Sequence, residues 1–458
     1  MRFPVVQVAA ARVKGPTIGG KQDGDTPERM SPAAGATASY PFPRYTKFDP
    51  LVPVWNATPT EGGAIHRFFD TSPFSPSGRY LGLTRLPFED RLPQPGDVAR
   101  VVVVDLHTGE ERTVAETRGW DTQVGAHVQW GADDTQLYFN DVDMQTWRPY
   151  GVRVDPLSGH RLDLEGTVYM VSPDGTQALS PALTKMGLTQ KGYGVILPSG
   201  HAAANCGAPG DDGIFVTDTS TGTCRMLVSI AQIIETAEPP FDPGQLADMD
   251  FYVFHVKWNP QADRIMAVLR WGPRERARGR LRHTLVSMGV DGTDVRVAVP
   301  NSIWDRGGHH PNWCPDGETI SINLKLDGEH LQFVRVRYDG SGIAPLTEAV
   351  PGSGHPTMHP DGRHVLTDVY LHEPLAYGDG TTPIRWVDTE IGSEQVLIRI
   401  DNNPPFPGPV RELRIDPHPA WDRSFRRIAF NGCEGGRRRV YIADLSQLLS
   451  PWAGSPIV

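Results

Sequence analysis

At 458 residues, 39% of them hydrophobic and 21% charged, the chain can bury one large repeat domain or two to three ordinary ones, and its composition excludes wholesale disorder. A net charge of -10 excludes the broad basic footprint of a nucleic-acid binder, but still allows a locally cationic site for an anionic ligand. No apolar run approaches the ~18 residues that mark a membrane-spanning helix.

The chain opens with MRFPVVQVAAARVKG, where Pro4 and Gln7 interrupt a short apolar stretch, and this reads as a poor signal peptide. Residues 15–40 are rich in Gly, Ala, Ser and Pro, so residues 1–40 are expected to be a flexible tail ahead of a single domain over 41–458. From there the sequence repeats itself. SPFSPSGRYLGL (72–83), HVQWGADDTQLYF (127–139), VYMVSPDGTQALS (168–180), HVKWNPQADRIMAVL (255–269), HPNWCPDGETISI (310–322), HPTMHPDGRHVLT (355–367) and HPAWDRSFRRIAF (418–430) share one pattern. Each has a short apolar run, a tight turn of the Pro-Asp-Gly kind and an alternating run, which together mark two antiparallel strands. Several copies are followed by a second hairpin, as in ARVVVVDLHTGEERTVAE and LQFVRVRYDGSGIAPLTE. Two hairpins make a four-stranded blade, and seven registers predict an all-β, seven-bladed β-propeller with a long insertion in blade 3. The last blade supplies only three strands, ending near VYIADL (440–445), so FDPLVPVWN (48–56) is expected to add the fourth and close the ring.

Five copies place a histidine three residues before the Trp-like position: His127, His255, His310, His355 and His418. Corresponding residues of successive blades lie at one height, so these imidazoles are expected to line one mouth of the central channel, with His309 just above. One histidine at a strand start is an ordinary packing residue, whereas five at equivalent positions on a crowded axis point to chemistry. Loops joining second to third strands return to this mouth. FNDVDMQTWRPY (139–150) brings Arg148 there, TKMGLTQKGYGV (184–195) brings Lys191 and Tyr193, and NGCEGGRRRV (431–440) brings Cys433. Blades 5, 6 and 7 are neighbours, so His310, His355, His418 and Cys433 form the expected ligand set for a metal, zinc by its nitrogen and sulfur donors. Cys314 and His359 fall beside the turns at the far end and are expected to be structural. Cys206 and Cys224 flank a short strand and are equally compatible with a disulfide and with free thiols.

His127 and Tyr193 come from adjacent blades and make a base–acid pair. Such a pair suits β-elimination across a uronic acid, in which the base removes the proton beside the carboxylate and the acid protonates the departing glycosidic oxygen. The carboxylate must be neutralised meanwhile. Glycoside hydrolysis ordinarily needs two Asp/Glu carboxylates flanking the bond, and Asp141 and Asp143 read instead as turn residues. Competing readings are a non-catalytic carbohydrate- or protein-binding propeller and a glycoside hydrolase on the same scaffold.

The blocks GWDTQVGAHVQWG (119–131), KMGLTQKGYGV (185–195), DMDFYVFHVKWNP (248–260), GGHHPNWCPDG (307–317) and FNGCEGGRRRVYIADL (430–445) carry a resemblance. Over about residues 40–446 the chain resembles propeller-type polysaccharide lyases, most of all the bacterial ulvan lyases and more distantly the oligogalacturonate lyases. The resemblance implies β-elimination of an anionic uronic-acid polysaccharide, His127 and Tyr193 as catalytic residues, Tyr252 as an aromatic in the cleft, and a structural metal near blades 5 to 7. It leans toward a secreted or periplasmic setting. The chain departs from the ulvan lyase pattern in having no arginine between residues 196 and 213, where the carboxylate-neutralising group is expected. His201, Arg148, Lys191 and Arg270 are the substitutes the sequence offers, and His255 and His309 are further expected substrate contacts.

Overall fold

In the computed structural model, which describes residues 39–60, 62–274, 279–409 and 411–449, the strands assort into seven four-stranded antiparallel sheets. Their innermost strands are Gly63–Ile65, Gln129–Trp130, Met170–Val171, Met249–Trp258, Gly308–Trp313, Thr357–Met358 and Ala420–Trp421, which define blades 1 to 7 of a β-propeller. The ring closes as expected: Val54–Asn56 pairs with Arg437–Asp444, with Trp55 opposite Ile442, and so completes blade 7. Nearly all of the tail expected over residues 1–40 lies outside the described residues. No helix among the described residues is long and apolar enough to cross a membrane.

Each blade is covered on both faces by its neighbours, so its central strands read as unbroken apolar runs. Val101, Val102, Val103 and Val104 are all buried. The repeated tryptophan staples blades together. Trp130 Nε1 donates to the Pro73 carbonyl at 2.9 Å, Trp313 Nε1 to the Lys257 carbonyl at 3.2 Å, and Trp421 Nε1 to Thr357 Oγ1 at 3.1 Å. In each case a buried indole finds its acceptor on the inner segment of the preceding blade.

Blade 1 departs from the repeat. Its register would put residues 72–74 on the inner strand, but only Phe74 keeps that place, through a bridge to Leu81. The paired strand is Gly63–Ile65, and the residues after it leave the sheet, with His66, Arg67, Phe68 and Phe69 all buried.

Candidate active site and metal centre

The histidines owe their placement to a shared backbone device. His127, His310 and His418, at one repeat position, have φ of 59°, 58° and 49°, in the left-handed region that histidine tolerates better than most residues. In blade 6 that conformation falls on Gly354, φ 49°, just before His355. A Cβ there would lie 2.2 Å from the carbonyl oxygen of Asp368, so glycine is required on two counts. His255 instead sits beside a register shift between Val253 and Val256.

Four of the five imidazoles gather around Phe68, with centroid distances of 5.4 Å to His255, 6.0 Å to His310, 5.6 Å to His355 and 4.7 Å to His418. The expected open funnel is therefore plugged by a phenylalanine that the repeat pattern did not reveal. His127 stands apart, packed on Tyr169 at 5.4 Å.

At the rim a continuous series of contacts runs across blades 3, 7, 6 and 5. Tyr193 Oη accepts a hydrogen bond from Arg414 Nη2 at 3.1 Å, and Arg414 Nε donates to Asp416 Oδ2 at 2.7 Å. Asp416 Oδ2 lies 3.7 Å from His418 Nε2. The rings of His418 and His355 are 4.2 Å apart, and those of His355 and His310 are 3.9 Å apart. Tyr370 Oη then reaches His310 Nε2 at 3.1 Å and His355 Nε2 at 3.4 Å. His309, packed on Tyr370, ends the series with Nε2 4.0 Å from Glu373.

Burial sets the protonation of this rim. It holds His309, His310 and His418 well below the usual imidazole range, so their rings are neutral at pH 7. It raises the phenols of Tyr193 and Tyr370, which therefore keep their protons. Burial also works to raise Asp368, but His355 and the backbone N–H groups of His355 and His418 outweigh it and keep the carboxyl ionised.

Among the described residues, one group of His, Cys, Asp and Glu side chains has ligand atoms all within 4.8 Å of one another: His355, Asp416 and His418. The donor chemistry fits a divalent cation. His355 Nδ1 donates to Asp368 at 2.8 Å, which turns Nε2 outward as an acceptor in the manner of a metal-bound imidazole with a carboxylate behind it. Neither ring nitrogen of buried His418 has a hydrogen-bond partner. Cys433, expected in this set, is not part of the group. Its strand, Arg427–Glu434, pairs it with Arg438, and its thiol is pushed up to about 11 by burial and by Asp401 and Glu89. His310 adjoins the group through its tilted ring contact with His355.

No hydrogen bond or ring contact joins His127 to Tyr193. His127 is 1% exposed, and neither of its ring nitrogens has a partner. Tyr252 is buried, its hydroxyl accepting from the Asn205 backbone N–H at 3.1 Å. Arg148 is exposed beside the blade 2 hairpin turn. Lys191 and Tyr193 line a cleft of about 450 Å³ walled by Leu92, Pro93 and residues 195–200. Arg270 lies with its guanidinium carbon 3.3 Å from the Phe254 ring centroid. All four cysteines are free thiols.

Arg414, Asp416, Asp368 and Tyr370 are functional candidates that the repeat pattern does not mark. A signal for the first two was present: Arg414, Asp416 and His418 alternate in RELRIDPHPAW, so an extended segment puts all three on one face.

No protein-family model matches the chain, and no curated protein does either. Solved structures do. An oligogalacturonate lyase in complex with manganese superposes with a TM-score of 0.61 at 17% identity, covering 90% of this chain and 98% of that one. An oligogalacturonate lyase from Vibrio parahaemolyticus superposes with a TM-score of 0.58 at 16% identity, covering 89% and 97%. At such identities the likeness is one of fold.

Proposed function

We propose that the protein is a lyase that cleaves a uronic-acid oligosaccharide or polysaccharide by β-elimination, with galacturonate-based chains the first substrates to try and ulvan the second. The observation that carries this reading is the connected rim from Tyr193 through Arg414 and Asp416 to the histidines and Tyr370. It gathers a proton donor, a cation and neutral imidazoles along one connected rim. The fold shared with two oligogalacturonate lyases supports it.

Elimination needs three services. Tyr193, protonated at neutral pH, gives its proton to the leaving oxygen, and Arg414 stabilises the phenolate left behind. Arg414 and Arg270 offset the charge that develops on the uronate carboxylate. His309 is the proposed base: its side chain is 27% exposed and it stands beside Glu373. It is preferred to His127, whose nitrogens are enclosed. A divalent cation held by His355, Asp416 and His418 would supply Lewis acidity toward the same carboxylate. That donor set has no thiolate, so the expectation of zinc, which rested on a sulfur donor, loses its ground.

The test is incubation of metal-supplemented protein with a panel of uronic-acid polymers, read by the ultraviolet absorbance of an unsaturated uronate end. Products without that absorbance, or no product from any polymer, would count against the proposal.

A further inference from the structure

Beneath the rim, the segment that plugs the channel carries a charge imbalance. The Asp70 carboxylate is shared by two cations, Arg67 Nη1 at 2.8 Å and Lys257 Nζ at 2.7 Å, and none of the three side chains is more than 2% exposed. Lys257 uses a further N–H on the Pro311 carbonyl at 2.8 Å. Arg67 is less well served. Its Nη1 reaches Asp70 and Thr71, but Nε and Nη2 are buried with no partner, out of five N–H donors in all. His127, with both ring nitrogens unpartnered, shares a neighbour with it: the Tyr169 ring centroid lies 4.7 Å from the Arg67 guanidinium carbon and 5.4 Å from the His127 ring.

A ring face attracts a cation but offers no lone pair to an N–H. Asp121, whose carboxyl feels the charge of Arg67, spends its oxygens on the backbone N–H groups of Gln123, Val124 and Gly194. Two buried cations facing one carboxylate, with donors left over, call for an acceptor that brings negative charge. We infer that a small inorganic anion of the halide class binds between Arg67 and His127, and that it pins the plug whose Phe68 seats the four imidazoles. A sugar carboxylate is too large to reach a guanidinium enclosed to this degree, so the site is separate from the substrate site and its test does not involve turnover.

The experiment pairs anomalous diffraction from crystals of the full chain soaked in bromide with melting temperatures in chloride, bromide and gluconate at one ionic strength. A bromide peak within hydrogen-bond reach of Arg67 Nε or Nη2 is expected, together with a Tm that rises saturably by several degrees in halide but not in gluconate. Arg67→Met should abolish the halide response. Should that variant fail to fold, His127→Phe, which keeps the buried guanidinium, should weaken it. Bromide found only at the surface, with the same Tm in chloride, bromide and gluconate at that ionic strength, would overturn the inference.

Discussion

The Tyr193 hydroxyl accepts a hydrogen bond from Arg414 at 3.1 Å, which ties a loop of blade 3 to the connector into blade 7. Phenol and guanidinium thus act as one unit. Tyr193→Phe should lower kcat by roughly 10²- to 10⁴-fold, the usual worth of a positioned proton donor. It should also cost about 1–3 kcal/mol of stability through the Arg414 Nη2 donor left without its acceptor. Steady-state kinetics and denaturant unfolding measure the two separately, and a kcat within twofold of wild type would remove Tyr193 from the chemistry.

His309 and His127 compete for the role of base, and their environments make opposite forecasts. His309→Ala should abolish turnover with a smaller loss of Tm than His127→Ala, because its side chain is 27% exposed. His127→Ala should instead destabilise the fold, since it empties space around a fully buried ring, and should leave kcat largely intact in the molecules that remain folded. The reverse pattern would restore His127 as base.

Metal content separates the two ligand sets. Calorimetric titration with manganese should show one tight site that His418→Ala or Asp416→Asn weakens by tenfold or more, whereas Cys433→Ser leaves it unchanged. Loss of binding in the Cys433 variant would return the thiol to the centre.

Much of this was legible in the chain itself. The seven blades, their closure and the four histidines that gather at the axis followed from a repeat whose strand alternation and turn chemistry are local. What the repeat concealed lies where local rules lapse. Phe68 enters the channel because blade 1 breaks its register over the residues after Gly63–Ile65, and no periodicity announces a break. Asp368 joins the histidines of blades 6 and 7 through contacts with His355 and with the His418 backbone N–H, 50 residues on. Such a pairing exists only once the blades are in place. Cys433 was placed near His418 by hairpin position alone, which fixes its height on the blade but not the neighbours its side chain meets.

Glu373 gives the fold a pH dependence of definite sign. Burial raises its carboxyl from an ordinary 4.5 to about 7. Folding therefore favours the protonated form: the contribution is fully present below pH 4.5, declines as the pH rises and is lost above about 7. Urea unfolding of metal-free protein should show about 2 kcal/mol of stability lost between pH 5 and 8 that Glu373→Gln does not lose. Parallel profiles for the two proteins would place the titration elsewhere.

Solvent isotope labelling separates elimination from hydrolysis. When metal-loaded protein cleaves an oligogalacturonate in heavy-oxygen water, mass spectrometry should find no heavy oxygen in either new end and one unsaturated residue per cut. One heavy oxygen gained per cut, with no unsaturated residue, would mean that water does the cleaving and that the lyase account is wrong.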